Sequence, residues 1–276
     1  MHLEEVKRMT TTFYSRLKYS VLLPSVTLIL LLTAQASSAH ENDLHATWDS
    51  LLKAHVVSIH DGNSTAVDYA AFAENKAQLD SYLAQLSAVS RAQYDNWTQD
   101  QQLAFLINAY NAFTVELILT EYPKLDSIRD LGSFFSSPWK KKFVPLLGSM
   151  MSLDQIEHGT IREKGVFDEP RIHFAVNCAS IGCPALRAEA FVAEKLDAQL
   201  ESSTLSFLQD RSRNYVDGNT LYLSKIFDWY EEDFSNDFYI QYADALGVNE
   251  TQKSAIKNTK IRFRYTDYDW ALNDID

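Results

Sequence analysis

LAFLINAYNAFTVELILT, residues 103–120, is apolar nearly all the way round a helical wheel. A surface helix carries one apolar stripe, so this pattern marks a helix buried on several sides. Thr98 and Gln101 precede it with the spacing of a capping box, and Pro123 follows it. Together they predict a helix from about Gln99 to Glu121. Asn108 and Asn111 stand three residues apart on one face of it. A buried amide is costly unless hydrogen-bonded, so both need partners from elsewhere in the chain. Either they tie loops to the central helix, or one faces a cleft, where it orients a catalytic histidine or donates to an oxyanion.

The flanking segments are shorter and amphipathic. His45, Trp48, Leu51, Leu52, His55 and Val56 follow helical spacing, with both histidines expected in solvent or against the helix edge. Asp61–Thr65 reads as a turn, Val67-Asp68-Tyr69 as an extended piece, and Leu79, Tyr82, Leu83 and Leu86 as a second helix. Ser127–Trp139 is an ordered loop or lid, and Phe143–Met151 a hairpin turning at Gly148-Ser149. Ser152 and Gln155 form another capping box, after which Asp154, His158 and Arg162 share one helical face.

Leu196, Leu200, Leu205 and Leu208 predict a later helix, and Asn214–Ser224 a hairpin around Asp217-Gly218-Asn219. Lys225–Phe234 reads as a helical corner with Phe227, Trp229 and Phe234 inward, and Ile261, Phe263 and Tyr265 as a late strand. Strands scattered among helices, without a βαβ repeat or a glycine-rich phosphate loop, predict an α+β fold. The expectation is a helix-rich single domain around a buried central helix, with a small, mainly antiparallel sheet.

The chemistry concentrates in RIHFAVNCASIGCPALR, residues 171–187. Ile172, Phe174 and Val176 alternate with His173, Ala175 and Asn177, which predicts a strand ending at Cys178. Ala179, Ser180 and Gly182 suit a tight loop, and Pro184 the first turn of a following helix. Cys178 and Cys183 are the two cysteines of the chain, and the four residues between them make a small but feasible disulfide loop.

The chain has 276 residues and a net charge of −12. Arg16 and Lys18, the apolar run Val21–Leu32 and AQASSA at 34–39 have the form of a secretory signal with cleavage after Ala39. An uncleaved anchor is the alternative, although the run is short for a span. The expected organisation is a signal peptide at 1–39 and one domain at 40–276, periplasmic or secreted, with no stable membrane span after processing. Residues 1–39 hold four of the 25 basic and two of the 37 acidic residues, so the remainder carries −14. Such a surface repels nucleic acid and anionic membranes, so neither is an expected partner.

FLINAYNAFTVELIL, SIRDLGSFFSSPW, SLDQIEHGTIRE, RIHFAVNCASIGCPAL, LSKIFDWYEEDF and YDWALN fall in that order from Phe105 to Asn273. Together they resemble the domain of unknown function 547 family, whose name implies no established activity. Its members include exported bacterial proteins and eukaryotic multidomain proteins, some with redox-type domains. The resemblance places Asn108, Tyr110, Asn111, Glu157, His158, Arg162, His173 and Cys178 in the family's motifs. It also makes Cys183 the more dispensable cysteine.

The first functional expectation is a cysteine-dependent hydrolase or acyl transferase acting on a small molecule or peptide. Cys178 is its nucleophile, a histidine its base, and Asn108 or Asn111 the orienting residue. Tyr110, Glu157, Arg162 and Asn177 are the binding or orienting candidates. On a straight strand His173 would lie roughly 16 Å from Cys178, which makes His158 the better base. A non-enzymatic binding or scaffold domain stapled by Cys178–Cys183 stands beside it, and thiol–disulfide exchange is a minor alternative. Zinc on His158, His173, Cys178 and Cys183 fits by residue type but lacks tight ligand-pair spacing, so no metal or cofactor is expected.

Overall fold

Thr98 and Gln101 do form the capping box, and the central helix runs Gln99–Leu119 in a computed structural model that describes residues 44–133 and 136–275. The helix is long and apolar enough to cross a membrane, yet most of it is buried within the protein. It is therefore a core helix of the compact unit Leu44–Asp276. The signal-like segment 1–39 lies outside the described residues.

In chain order, α1 (Ala46–His55) leads into the hairpin β1 (Val56–Ile59) and β2 (Ser64–Val67). Then come α2 (Tyr69–Glu74), α3 (Lys76–Ala88), α4 (Arg91–Asp95) and the central helix, α5. The region 127–139 holds two short 3-10 turns, Ile128–Leu131 and Pro138–Lys140. β3 (Val144–Leu146) and β4 (Ser149–Met151) make the second hairpin, followed by α6 (Leu153–Ile156). A wide π turn, Glu157–Ile161, continues α6.

Further on, α7 spans Leu196–Gln209, and β5 (Tyr215–Asp217) pairs with β6 (Thr220–Leu223) through a two-residue turn in which Gly218 has φ +55°. α8 (Ile226–Trp229), α9 (Asn236–Gln241) and α10 (Glu250–Lys257) precede β7 (Arg262–Tyr265), which lies parallel to β6. The fold is helix-rich α+β, and its strands form small separate sheets, antiparallel except for the β6–β7 pair.

Two apolar clusters carry the core. One surrounds α5; the other gathers Phe174, Phe207, Phe227, Phe234 and Phe238 beneath β6 and α9. The segment between them departs from the expected strand: Pro170–Phe174 is a 3-10 turn. Ile172 and Phe174 are buried in different clusters rather than on one face of a sheet. The backbone groups a neighbouring strand would need are already used. Ala175 N–H and Val176 N–H donate to Ile172 C=O, and the Asn111 side chain bonds Ala175 C=O and Asn177 N–H.

The expected helix after Pro184 is absent, for a similar reason. Asn177 Nδ2 holds Pro184 C=O, Asn108 holds both backbone groups of Phe191, and Gln199 takes Ala190 C=O and Val192 N–H. Polar side chains thus replace an i to i−4 ladder. Two smaller expectations also change. His45 is buried against Tyr82, with Nδ1 2.7 Å from its hydroxyl, and Trp229 is 41 % exposed rather than inward.

Candidate active site

A cleft of about 310 Å³ opens where the two clusters meet, with Tyr110 and Val176 from one side and Ile226 and Tyr230 from the other. Five sequence-nominated residues line it: Tyr110 from α5, Glu157 and His158 from the π turn, His173 from the 3-10 turn and Cys178 beyond it. The 3-10 turn removes the objection to His173. A chain rising about 2 Å per residue in that turn, then bent back at Ala175, brings His173 and Cys178 to one cavity.

His173 is buried, and its Nε2 lies 2.7 Å from Asp233 Oδ2. Its ring stacks on Tyr230 with centroids 4.1 Å apart. Burial pushes the imidazole below its ordinary pKa, outweighing the pull of Asp233. The bonds from His173 and Arg162 hold Asp233 well below the carboxylate range despite its partial burial. The neutral ring therefore donates from Nε2 to an ionised carboxylate and presents Nδ1 as its basic nitrogen. That is the base–orienter arrangement of nucleophilic enzymes.

His158 is arranged differently. Arg162 Nη1 lies 2.7 Å from its Nδ1, and a guanidinium can only donate. A neutral His158 in this pairing carries its proton on Nε2, and the residue lines the cleft. Arg162 also binds Asp233 at 2.7 Å and Glu232 at 2.8 Å, and it lies 4.6 Å over the Tyr230 ring. It joins both histidines into one network without lining the cleft. Glu157, buried, accepts from the Tyr230 hydroxyl at 2.9 Å and is bonded to Tyr110. Burial holds both tyrosines protonated, so they remain donors.

Cys178 is bonded to Cys183. Cys178 is partly exposed at the cleft, and Cys183 is 2 % exposed beneath it. The Tyr268 hydroxyl, which burial pushes up to about 12, lies 3.0 Å from Cys178 Sγ and 3.2 Å from Cys183 Sγ. No helix begins at Cys178, and the Ser180 hydroxyl lies 3.3 Å from its Sγ. The 178–183 loop is also held by Ile181 N–H to Ala271 C=O, Gly182 N–H to Asp269 C=O, and Arg213 on the carbonyls of Gly182 and Cys183.

Besides Arg162 and Cys183, three nominated residues do not line the cleft. Asn108 and Asn111 bind only backbone, and Asn177 bonds Pro184 C=O and Ala179 N–H, so all three brace loops. Sequence reasoning missed Asp233, Tyr230 and Tyr268, together with the aromatic wall of Trp139, Trp229 and Trp270. Most of these lie in LSKIFDWYEEDF and YDWALN, segments noticed for resemblance but not for chemistry. Among the described residues, no group of acidic, histidine or cysteine side chains is placed to hold a metal ion.

No curated protein and no solved structure matches the chain. A family described as "Protein of unknown function, DUF547" matches residues 94–208, which hold Tyr110, Glu157, His158, His173 and both cysteines. Over residues 94–208 the chain is similar to the DUF547 family.

Proposed function

We propose that the protein is an exported cysteine-dependent enzyme, a hydrolase or acyl transferase, whose nucleophile Cys178 is latent while bonded to Cys183. The observation that carries this reading is the meeting of Cys178 and the Asp233-oriented His173 in one cleft. A thiol reductant supplies two electrons and two protons and frees both thiols. His173 Nδ1 then takes the Cys178 proton, and the thiolate attacks an acyl carbonyl. The leaving group departs with the proton from His173, leaving a thioester. Water resolves it in a hydrolase, an acceptor nucleophile in a transferase. Tyr268 donates to the thiolate, and Tyr110 and Tyr230 fix Glu157 at the cleft wall.

Against a purely structural staple weighs the anchoring of the 178–183 loop by backbone bonds and Arg213, none of which involves the cysteine sulfurs. The accessible Cys178 above a buried Cys183 favours one second reading, thiol–disulfide exchange. p-Nitrophenyl acetate separates the two. The reduced protein should release nitrophenolate in a burst and gain one acetyl group on Cys178, and Cys178→Ser should do neither. No acetyl adduct at Cys178, with mixed disulfides forming readily on a disulfide probe, would replace acyl transfer by exchange.

A further inference from the structure

The cleft has a composition that thiol chemistry alone does not require. Two carboxylates line it, Asp154 and Glu157, and no lysine or arginine is among its described lining residues. Asp154 is half-buried, and no hydrogen bond or ion pair of its carboxylate is found among the described residues. Trp139, Trp229, Tyr268 and Trp270, all in the cleft lining, form a continuous run of ring contacts. Their centroids are 4.5 Å apart for Tyr268–Trp270, 4.8 Å for Trp229–Tyr268 and 5.8 Å for Trp139–Trp270.

Tryptophan faces and uncompensated carboxylates around one cavity attract organic cations, because the ring quadrupole and the carboxylate act with the same sign. A neutral ligand would bury the carboxylates without a counter-charge, and an anion would be repelled. The chain's own cations already exploit these rings. Arg129 lies 5.2 Å over Trp270 and Arg162 4.6 Å over Tyr230.

We propose that this cleft binds the ammonium group of a small organic cation, seated between the Trp139–Trp229–Trp270 wall and Asp154. The proposal rests on the cleft being the functional site, but not on Cys178 acting as a nucleophile. Binding is therefore measured on the oxidised protein, where no thiol exists.

Choline, its uncharged isostere 3,3-dimethyl-1-butanol and maltose serve as probes, read by tryptophan fluorescence and calorimetry. Choline should bind at least about tenfold more tightly than the isostere, and more weakly as salt is raised. Asp154→Asn, which keeps the shape of the side chain, and Trp270→Ala should each weaken choline several-fold. If Trp270→Ala fails to fold, Asp154→Asn decides alone. Equal binding of choline and its isostere, binding of maltose in place of choline, or full choline affinity in Asp154→Asn would overturn the proposal. Loss of thiol reactivity with choline binding intact would overturn only the enzymatic reading.

Discussion

His173 Nε2 meets Asp233 Oδ2 at 2.7 Å across 60 residues of sequence, joining the turn before Cys178 to the acidic corner after α8. Arg162 closes the triangle on Asp233, also at 2.7 Å. The carboxylate that orients His173 is therefore itself fixed, and the ring cannot rotate without breaking a charge-assisted bond.

Replacement of Asn111 should cost stability. Its amide serves Ala175 C=O and Asn177 N–H inside the core, so Asn111→Leu strands two buried backbone groups. A loss of about 1–3 kcal/mol is expected by urea denaturation. An unchanged midpoint would contradict this bracing role.

Gly182 tests how the cysteine loop is held. A Cβ there would lie 2.9 Å from the Asp269 carbonyl and from the Tyr268 ring, and backbone cannot yield as a flexible side-chain end can. Gly182→Ala should destabilise by about 1–3 kcal/mol and push Tyr268 off the sulfurs. Wild-type stability in this variant would mean that the C-terminal strap is not held against the loop as described.

Removing the disulfide should be mild. A loop this short contributes at most about 2 kcal/mol by chain entropy, and other bonds hold it. Cys183→Ser should stay folded, with a cooperative melt within that margin. Unfolding at ambient temperature would restore the staple as the purpose of the bond.

Acid should destabilise the fold through its buried histidines. Burial lowers His45 from 6.5 to about 3 and lowers His173 as well, so the unfolded chain binds protons that the folded chain refuses. Stability is then complete above pH 6.5 and falls as pH drops below it, by up to about 1.4 kcal/mol per pH unit through His45. Asp233 adds a loss of the same sign as pH falls below its ordinary 3.8. His45→Gln should flatten the slope between pH 6 and 4, a range set by those values; an unaltered slope would contradict the burial of a neutral imidazole.

The sequence disclosed most where one local rule governed. The all-round apolarity of residues 103–120 and the Thr98 cap located the central helix, and Gly218-Asn219 located a hairpin turn. It misled where tertiary partners took over. The alternation of Ile172, Phe174 and Val176 reflects burial in two clusters, because Asn111 supplies the bonds of an absent strand. Cys178, His158 and His173 could be nominated by residue type. Their roles could not, since Asp233 and Arg162, which fix the histidine tautomers, reach them from other elements. Trp229 alternates with core aromatics in sequence, and only the position of the cleft explains its exposure.

The most direct test is the alkylation rate of Cys178 in the Cys183→Ser protein, measured with iodoacetamide against pH. A nucleophile that shares its cleft with His173 and contacts Tyr268 should have a pKa below the free value of about 8.5 and react faster than glutathione near pH 6–7. His173→Gln should slow it, and Asp233→Asn should alter its pH profile. A Cys178 thiol that reacts no faster than glutathione near neutral pH, and is indifferent to His173→Gln, would contradict the assignment of Cys178 as a nucleophile.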